Sequence, residues 1–322
     1  MKKKSGFSKI MGAKGAGTVV TAFIGLIIIY IAFGILNPNV FTLLNSQNLL
    51  RSMSKYLLIG IGQSFVMITG NVDLSIGSVV GMSAMISATM MTKGMNPVVA
   101  IIVTIVLALV VGVVNGYLVG KFKLPPFIAT LGTMFIARGI AYIVNNNRNT
   151  DNIASGIGKE AGDRFQNIFY YGKTAGIFNT FWIALIIFLI FWFFLARTRS
   201  GRHIYAIGSN VDAARLSGVD VVKTTMKAYM ISGFCSAIVG FVLCAQAGMG
   251  NMDAGNMYEM YGVAAGVIGG VSPLGGSGIL LGTFAGAGVW QTLENGLNLI
   301  HAQVGFQRII IGVIVVGAVL LD

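Results

Sequence analysis

Of the ten acidic side chains in this 322-residue chain, Asp73 has the most demanding surroundings: Gly70-Asn71-Val72-Asp73-Leu74-Ser75-Ile76-Gly77 joins two long apolar stretches. A carboxylate in hydrocarbon is costly unless it caps a helix, pairs or faces water. The flanking glycines let a helix break here, and broken helices with polar turns mark transport pathways. Two compatible roles follow. As structure, Asp73 caps a helix starting at Leu74 and accepts from the amides near Ser75 and Ile76. As function, Asn71, Asp73 and Ser75 line a pathway or gate. Asp253, Glu259 and Glu294 are the other acids near membrane depth. Asp253 is assigned to the pathway, Glu259 to an outer vestibule and Glu294 to the outer end of its span.

Catalytic chemistry has no comparable footing. No set of nucleophile, base and orienter is visible. His203 and His301 lack metal-site spacing. Cys235 and Cys244 are nine residues apart, which puts them half a turn off one helix face. No disulfide, metal or cofactor is therefore expected. No G-x-x-x-x-G-K-[ST] occurs, and Gly275-Gly276-Ser277-Gly278 lacks a lysine. If ATP drives this chain, another chain binds it.

The segment 197–224 is the second informative one. Asn210 is placed to cap a short helix, with Asp212 in its first turn where the dipole favours an acid. Ala213, Ala214, Arg215 and Leu216 continue the helix, and Gly218 suits its stop. The result is a short amphipathic helix with Ile207 and Leu216 available to dock a cytoplasmic motor.

These features need elements to hold them. The chain is 55% hydrophobic and 10% charged, against roughly 25% charged in a soluble domain. Runs of about 20 apolar residues are long enough to span a bilayer. An all-α polytopic membrane protein follows, one transmembrane domain over 1–322. About ten spans are expected near 18–36, 49–69, 74–92, 97–119, 126–144, 178–196, 226–247, 261–271, 278–300 and 304–321. The eighth is short. The net charge of +12 sits in clusters: the basic segment 1–17, Lys121 and Lys123, and the basic residues of 197–227. That is the positive-inside pattern rather than a nucleic-acid surface, and it puts both termini in the cytoplasm and 145–177 outside. Gly70-Asn71-Val72-Asp73 aligns with Gly250-Asn251-Met252-Asp253 at a shift of 180 residues, as does Asn115-Gly116 with Asn295-Gly296. Five spans separate the copies, so the shift implies an inverted repeat of two five-helix halves, a transporter hallmark.

The motif at 68–78 and Phe127-Ile128-Ala129-Thr130-Leu131-Gly132-Thr133 resemble signatures of the permease subunits of bacterial ABC importers for ribose, galactose, xylose and related sugars. Residues 201–208 and 213–218 are similar to that family's ATPase-facing loop, and 269–272 and 275–278 also match. The resemblance runs from about residue 40 to 322. It implies a bacterial inner-membrane subunit without enzymatic activity of its own that carries a monosaccharide. It also implies a second permease copy or paralogue, a cytoplasmic ABC ATPase and an extracytoplasmic sugar-binding protein. Two departures stand out: Asn71 where the family usually has Gly, and Tyr261 where it usually has Asp. Tyr258-Glu259-Met260-Tyr261 is placed near the outer gate. The competing reading is an ion-coupled secondary transporter with Asp73 as the coupling acid; a channel is the third.

Overall fold

The computed structural model describes residues 16–321; Lys2, Lys3, Lys4, Lys9 and Lys14 lie outside the described residues, as does the side chain of Arg308. Each expected span has its helix: α1 (Ala16–Leu36), α2 (Leu43–Ile68), α3 (Ile76–Thr92), α4 (Pro97–Gly120), α5 (Pro126–Ile143) and α6 (Asn179–Arg197). After α6 come two short helices, α7 (Arg199–Ser209) and α8 (Val211–Leu216). Then follow α9 (Val221–Ala247), α10 (Tyr258–Ile268), α11 (Leu280–Leu299) and α12 (Val304–Leu321). Among the described residues five helices are long and apolar enough to cross a membrane by length and composition alone: Gly17–Leu36, Pro97–Gly120, Pro126–Ile143, Asn179–Arg197 and Val221–Ala247.

Helix α9 forms the centre. In its most apolar 18-residue window 83% of the residues are buried, against 11% for Gly17–Leu36. The approach is close because small residues face it. A Cβ on Gly112 of α4 would lie 2.5 Å from Tyr229 O and 2.8 Å from Met230 Cα. In lipid, helices associate through such close backbone packing rather than through hydrophobic burial. The outside is apolar: Ile27, Ile28 and Ile35 of α1, Ile102 and Val110 of α4, Phe135 and Ile136 of α5, and Ile190 and Phe193 of α6 are all exposed. That surface suits hydrocarbon.

The two ends of the bundle differ. At one end the connection 144–178 folds into short helical turns and a two-residue antiparallel ribbon with Lys173 opposite Phe178. It is tied to the start of α2 by Gln47 Nε2 to Gly176 O (2.7 Å) and to the end of α9 by Gln166 Nε2 to Ala245 O (3.0 Å). At the other end lie α7 and α8. The segment 197–224, expected to contain one short helix capped by Asn210, holds a second ahead of it, and Asn210 at φ −165° and ψ 110° turns the chain between the two.

The shift of 180 residues holds element by element. α2, α3, α4 and α5 correspond to α9, α10, α11 and α12, with an irregular stretch after the first helix of each half. α2 runs from the long-loop end to the α7 end, and α9 runs back. The repeat is inverted.

Candidate functional site

The first irregular stretch, 69–75, begins where α2 ends at Thr69 and Gly70 turns at φ +77°. Helix α3 then starts at Ile76, two residues later than the sequence suggests. The cause is Asp73. Its Oδ1 accepts both the amide (2.9 Å) and the hydroxyl (2.6 Å) of Ser75, so 73–75 form a turn rather than helix. Ser75 occupies the N-cap position, but its hydroxyl is committed to Asp73 and caps nothing. Asp73 therefore accepts from the Ser75 amide, as expected, but is not itself the cap.

The rest of Asp73 faces other helices. Oδ2 accepts from Ser232 Oγ of α9 at 2.7 Å. Ser75 Oγ accepts from Asn115 Nδ2 of α4 (3.0 Å), and Asn115 Oδ1 accepts from Thr133 Oγ1 of α5 (2.6 Å). Tyr229 of α9 donates to Val72 O at 3.0 Å. Asp73, Ser75, Asn115, Ser232 and Thr133 are all buried. The chain of bonds pins the break to three helices. Sequence reasoning missed Ser232 and Tyr229; Asn115, repeated as Asn295 at the same shift, and Thr133, the last residue of the 127–133 motif, had left a signal.

Asn71 is half-buried and bonds Thr69 Oγ1 at 2.7 Å. It lines a cavity of about 540 Å³ at the α7 end together with Lys123, Gly208, Asn210, Arg215 and Leu274. Three segments meet there. Gly276 N donates to Ile68 O (2.9 Å), joining the end of α2 to the glycine-rich stretch 272–278. Gly208 of α7 sits against both, where a Cβ would collide with Ile68 O and Gly276 N. Tyr205, one turn earlier, donates to Gly278 O at 2.6 Å, and burial pushes its phenol up to about 12.

Asn210 caps α8 as expected: its Oδ1 accepts from the amides of Asp212 (3.0 Å) and Ala213 (2.9 Å). Asp212 pairs with Arg215 at 3.1 Å, and Gly218 turns at φ +83° beyond the helix. Ile207 is buried in a small cluster with Ala214 and Val219 that holds α7 to α8, and it also lines the cavity at this end. Ala213 and Leu216 are exposed, Leu216 at 90%. Asp220 caps α9, and the Lys223 amide that it accepts holds its carboxyl below the usual range.

The second irregular stretch, 248–257, dips into the protein along α3. Gly250 packs on Ala88 and Met85; Gly255 lies against Gly77 and Val80. From Ala88 to Gly77 is about 16 Å of helix. Helix α10 thus starts deep in the bundle and runs only to the α7 end, which accounts for its short length. Arg138 of α5 holds the dip in place, donating to Met252 O (2.8 Å), Ala254 O (2.9 Å) and Gly77 O (3.4 Å). Asp253 is exposed beside Tyr142 OH (3.3 Å). Glu259 lies half-buried in the first turn of α10, its carboxylate against Gly77. Tyr258 joins Tyr56, Tyr261 and Trp290 in an aromatic cluster, with Tyr56 5.6 Å from Tyr261 and Tyr261 5.1 Å from Trp290. Glu294 lies in the half of α11 nearer the 144–178 end, where Tyr56 OH donates to its Oε2 at 2.7 Å. Cys235 and Cys244 are buried and free, and the described residues hold no cluster fit for a metal.

Comparison with known proteins agrees with this architecture. A sequence profile described as the permease component of branched-chain amino acid transport systems matches residues 45–319. The ribose import permease protein of Bacillus subtilis (strain 168) is 40% identical over 300 residues, 93% of this chain and 91% of that one. The D-allose transport system permease protein of Escherichia coli (strain K12) is 35% identical over 302 residues, covering 93% and 90%. The L-arabinose transport system permease protein of the same organism is 33% identical over 297 residues, covering 92% and 87%. No solved structure matches significantly. The long apolar helices, the broken pairs and these matches together place the chain in the family of transport-system permease components to which that profile belongs.

Proposed function

We propose that this chain is the permease subunit of an ATP-driven importer, working as one transmembrane domain that carries a monosaccharide such as ribose, allose or arabinose across a bacterial plasma membrane. The observation that carries the mechanism is the seat of α7. Gly208 rests directly on the carbonyl that ends α2 and on Gly276 of the second glycine-rich turn. A push on the α7–α8 pair therefore reaches the first break and the glycine-rich stretch between α10 and α11 through backbone contacts. The pair is the docking element for a cytoplasmic ABC ATPase, which meets the exposed Ala213 and Leu216. Asn210, Asp212, Arg215 and Gly218 shape the helix, and Ile207 and Ala214 brace it from within.

The basic residues Arg197, Arg199, Arg202, Arg215, Lys223 and Lys227 crowd this end, which favours a cytoplasmic setting with both termini inside. The 144–178 end then meets an extracytoplasmic sugar-binding protein. Asn71, Asp253, Tyr258 and Glu259 line the pathway and its gates, Asp73 and Ser75 anchor the inner break, and a second permease copy or paralogue completes the channel. The permease adds no chemistry; ATP is hydrolysed on the partner.

The test is uptake of radiolabelled D-ribose, D-allose and L-arabinose by proteoliposomes carrying the permease, its ATPase and its binding protein. Uptake is expected with ATP and not with a proton or sodium gradient alone. Gradient-driven uptake by the isolated chain would establish the secondary carrier instead. Ala213→Glu and Leu216→Asp are expected to abolish ATP-driven uptake and recovery of the ATPase with the permease, while the spans still insert. An unpaired charge in a docked apolar contact costs several kcal/mol, roughly 3–5.

A further inference from the structure

Between α2 and α11, in the half nearer the 144–178 end, lies a cavity of about 240 Å³ lined by Ser52, Lys55, Tyr56, Gln291, Glu294 and Asn295. Its lining is unusual for a helix contact in lipid, where small and apolar residues dominate. Gln291 is 6% exposed, and its Oε1 has no hydrogen-bond partner. A buried amide oxygen without a donor costs about 1–3 kcal/mol. Gln291 lines the polar cavity, so the unsatisfied oxygen belongs to its wall. Glu294 beside it accepts the Tyr56 hydroxyl at 2.7 Å. Lys55 reaches Gln246 Oε1 only at 3.5 Å.

The Tyr56 ring is also one edge of the aromatic cluster. Tyr258 lies 6.2 Å from it, Tyr261 5.6 Å and Trp290 6.4 Å, centroid to centroid. The cavity thus pairs an aromatic edge with a wall of carboxylate, amide, hydroxyl and ammonium groups. A sugar ring has the matching character: apolar C–H faces and a rim of hydroxyls that both donate and accept. A cavity of about 240 Å³ suits one small ring rather than an oligosaccharide. Tyr258 is the first residue of α10, so the Tyr56 wall of the cavity packs against the start of the half-length helix.

We propose that this cavity is a transient monosaccharide subsite of the permease itself, in which Gln291 and Glu294 take the hydroxyls. The proposal rests on the sugar-importer reading above. Of the lining groups named, four are neutral and two are charged, and the unsatisfied atom is a neutral acceptor. That set favours a polyol over a zwitterionic amino acid.

The experiment uses the reconstituted permease, ATPase and binding protein and measures D-ribose taken up per ATP hydrolysed. Gln291→Leu and the isosteric Glu294→Gln are expected to lower that ratio at least about tenfold, with ATP hydrolysis stimulated by the loaded binding protein staying within about twofold. Uptake and hydrolysis unchanged in both variants would make the cavity a water-filled packing gap and overturn the subsite. Uptake and hydrolysis lost in parallel in both variants would mark a structural role and overturn it too. If Gln291→Leu does not insert, Glu294→Gln alone is read the same way. A wild-type complex that imports L-leucine but none of D-ribose, D-allose and L-arabinose would overturn the sugar reading together with the subsite. Wild-type sugar uptake with indifferent variants would overturn the subsite alone.

Discussion

The two halves of the repeat put the same Gly-Asn-x-Asp tetrapeptide into opposite environments. In the first, Asp73 is 3% exposed and both carboxylate oxygens are bound by serines of its own turn and of α9. In the second, Asp253 is exposed, and the turn is made by Asn251 Oδ1 accepting the Asp253 amide at 2.9 Å. The first break is held by its own acid. The second is held from outside by Arg138, through carbonyls on either side of Asp253. Sequence symmetry fixes where the chain departs from helix; the neighbours decide what stabilises the departure. A carboxylate buried near the α7 end must be satisfied by hydroxyls there. An exposed carboxylate needs no such partner, so the second break depends on a cation reaching backbone carbonyls.

The sharpest way to break this comparison is to remove the external clamp. Arg138→Ala leaves two carbonyls of the dip and Gly77 O without their donor. Hydrogen bonds to charged groups are worth about 1.5–3 kcal/mol each, so destabilisation of at least about 3 kcal/mol and loss of uptake are expected. Arg138→Lys keeps the charge without the forked geometry and restores only part. Thermal unfolding in detergent reads the effect; an unchanged midpoint would remove Arg138 from the account.

Removing the internal anchor comes next. Asp73→Leu strips the acceptor from the Ser75 amide, Ser75 Oγ and Ser232 Oγ at once. Each buried group left unsatisfied costs about 1–3 kcal/mol, and uptake at equal membrane expression is expected to fall more than about tenfold. Asp73→Asn keeps an acceptor oxygen and is milder. Equal damage by Asn and Leu would instead point to proton exchange at this site and revive the ion-coupled reading. Ser232→Ala, which removes one donor of three, sharpens the same point. It is expected to cost about 1 kcal/mol, visible as a lowered unfolding midpoint with uptake retained.

The ten helices were legible because each sits on an apolar run, although only five of those described are long and apolar enough to cross by length and composition alone, and the repeat was legible because two polar clusters shared one shift. What was hidden depends on contacts that carry no sequence period. The dip at 248–257 has no hydropathy signal, and α10 reads as a short span rather than a helix entered halfway. The role of Arg138 stayed hidden, because backbone carbonyls cannot be seen in a list of side chains. Asp73 read as a helix cap, and its actual start at Ile76 is set by Ser75 turning its hydroxyl toward the acid. In α8 the residue types gave the cap and stop, but six residues are too few to fix a buried face. Ile207 therefore turned out internal while Leu216 is open.

The smallest expected effect is the one that tests the asymmetry itself. Asp253→Leu changes the residue that the repeat equates with Asp73. Its side chain makes one long contact, with Tyr142 OH at 3.3 Å, and the turn it sits in is closed by Asn251 and clamped by Arg138 through main-chain atoms. Surface substitutions away from such anchors stay within about ±0.5 kcal/mol. The unfolding midpoint of Asp253→Leu should therefore match the wild type, and any fall in uptake should stay within about threefold, the share of a pathway-lining group that binds nothing tightly. Asn251→Ala should lower the midpoint more than Asp253→Leu, since Asn251 closes the turn. If Asp253→Leu destabilises the protein as much as Asp73→Leu, the two breaks are held alike, and the division between an internally anchored break and an externally clamped one is wrong.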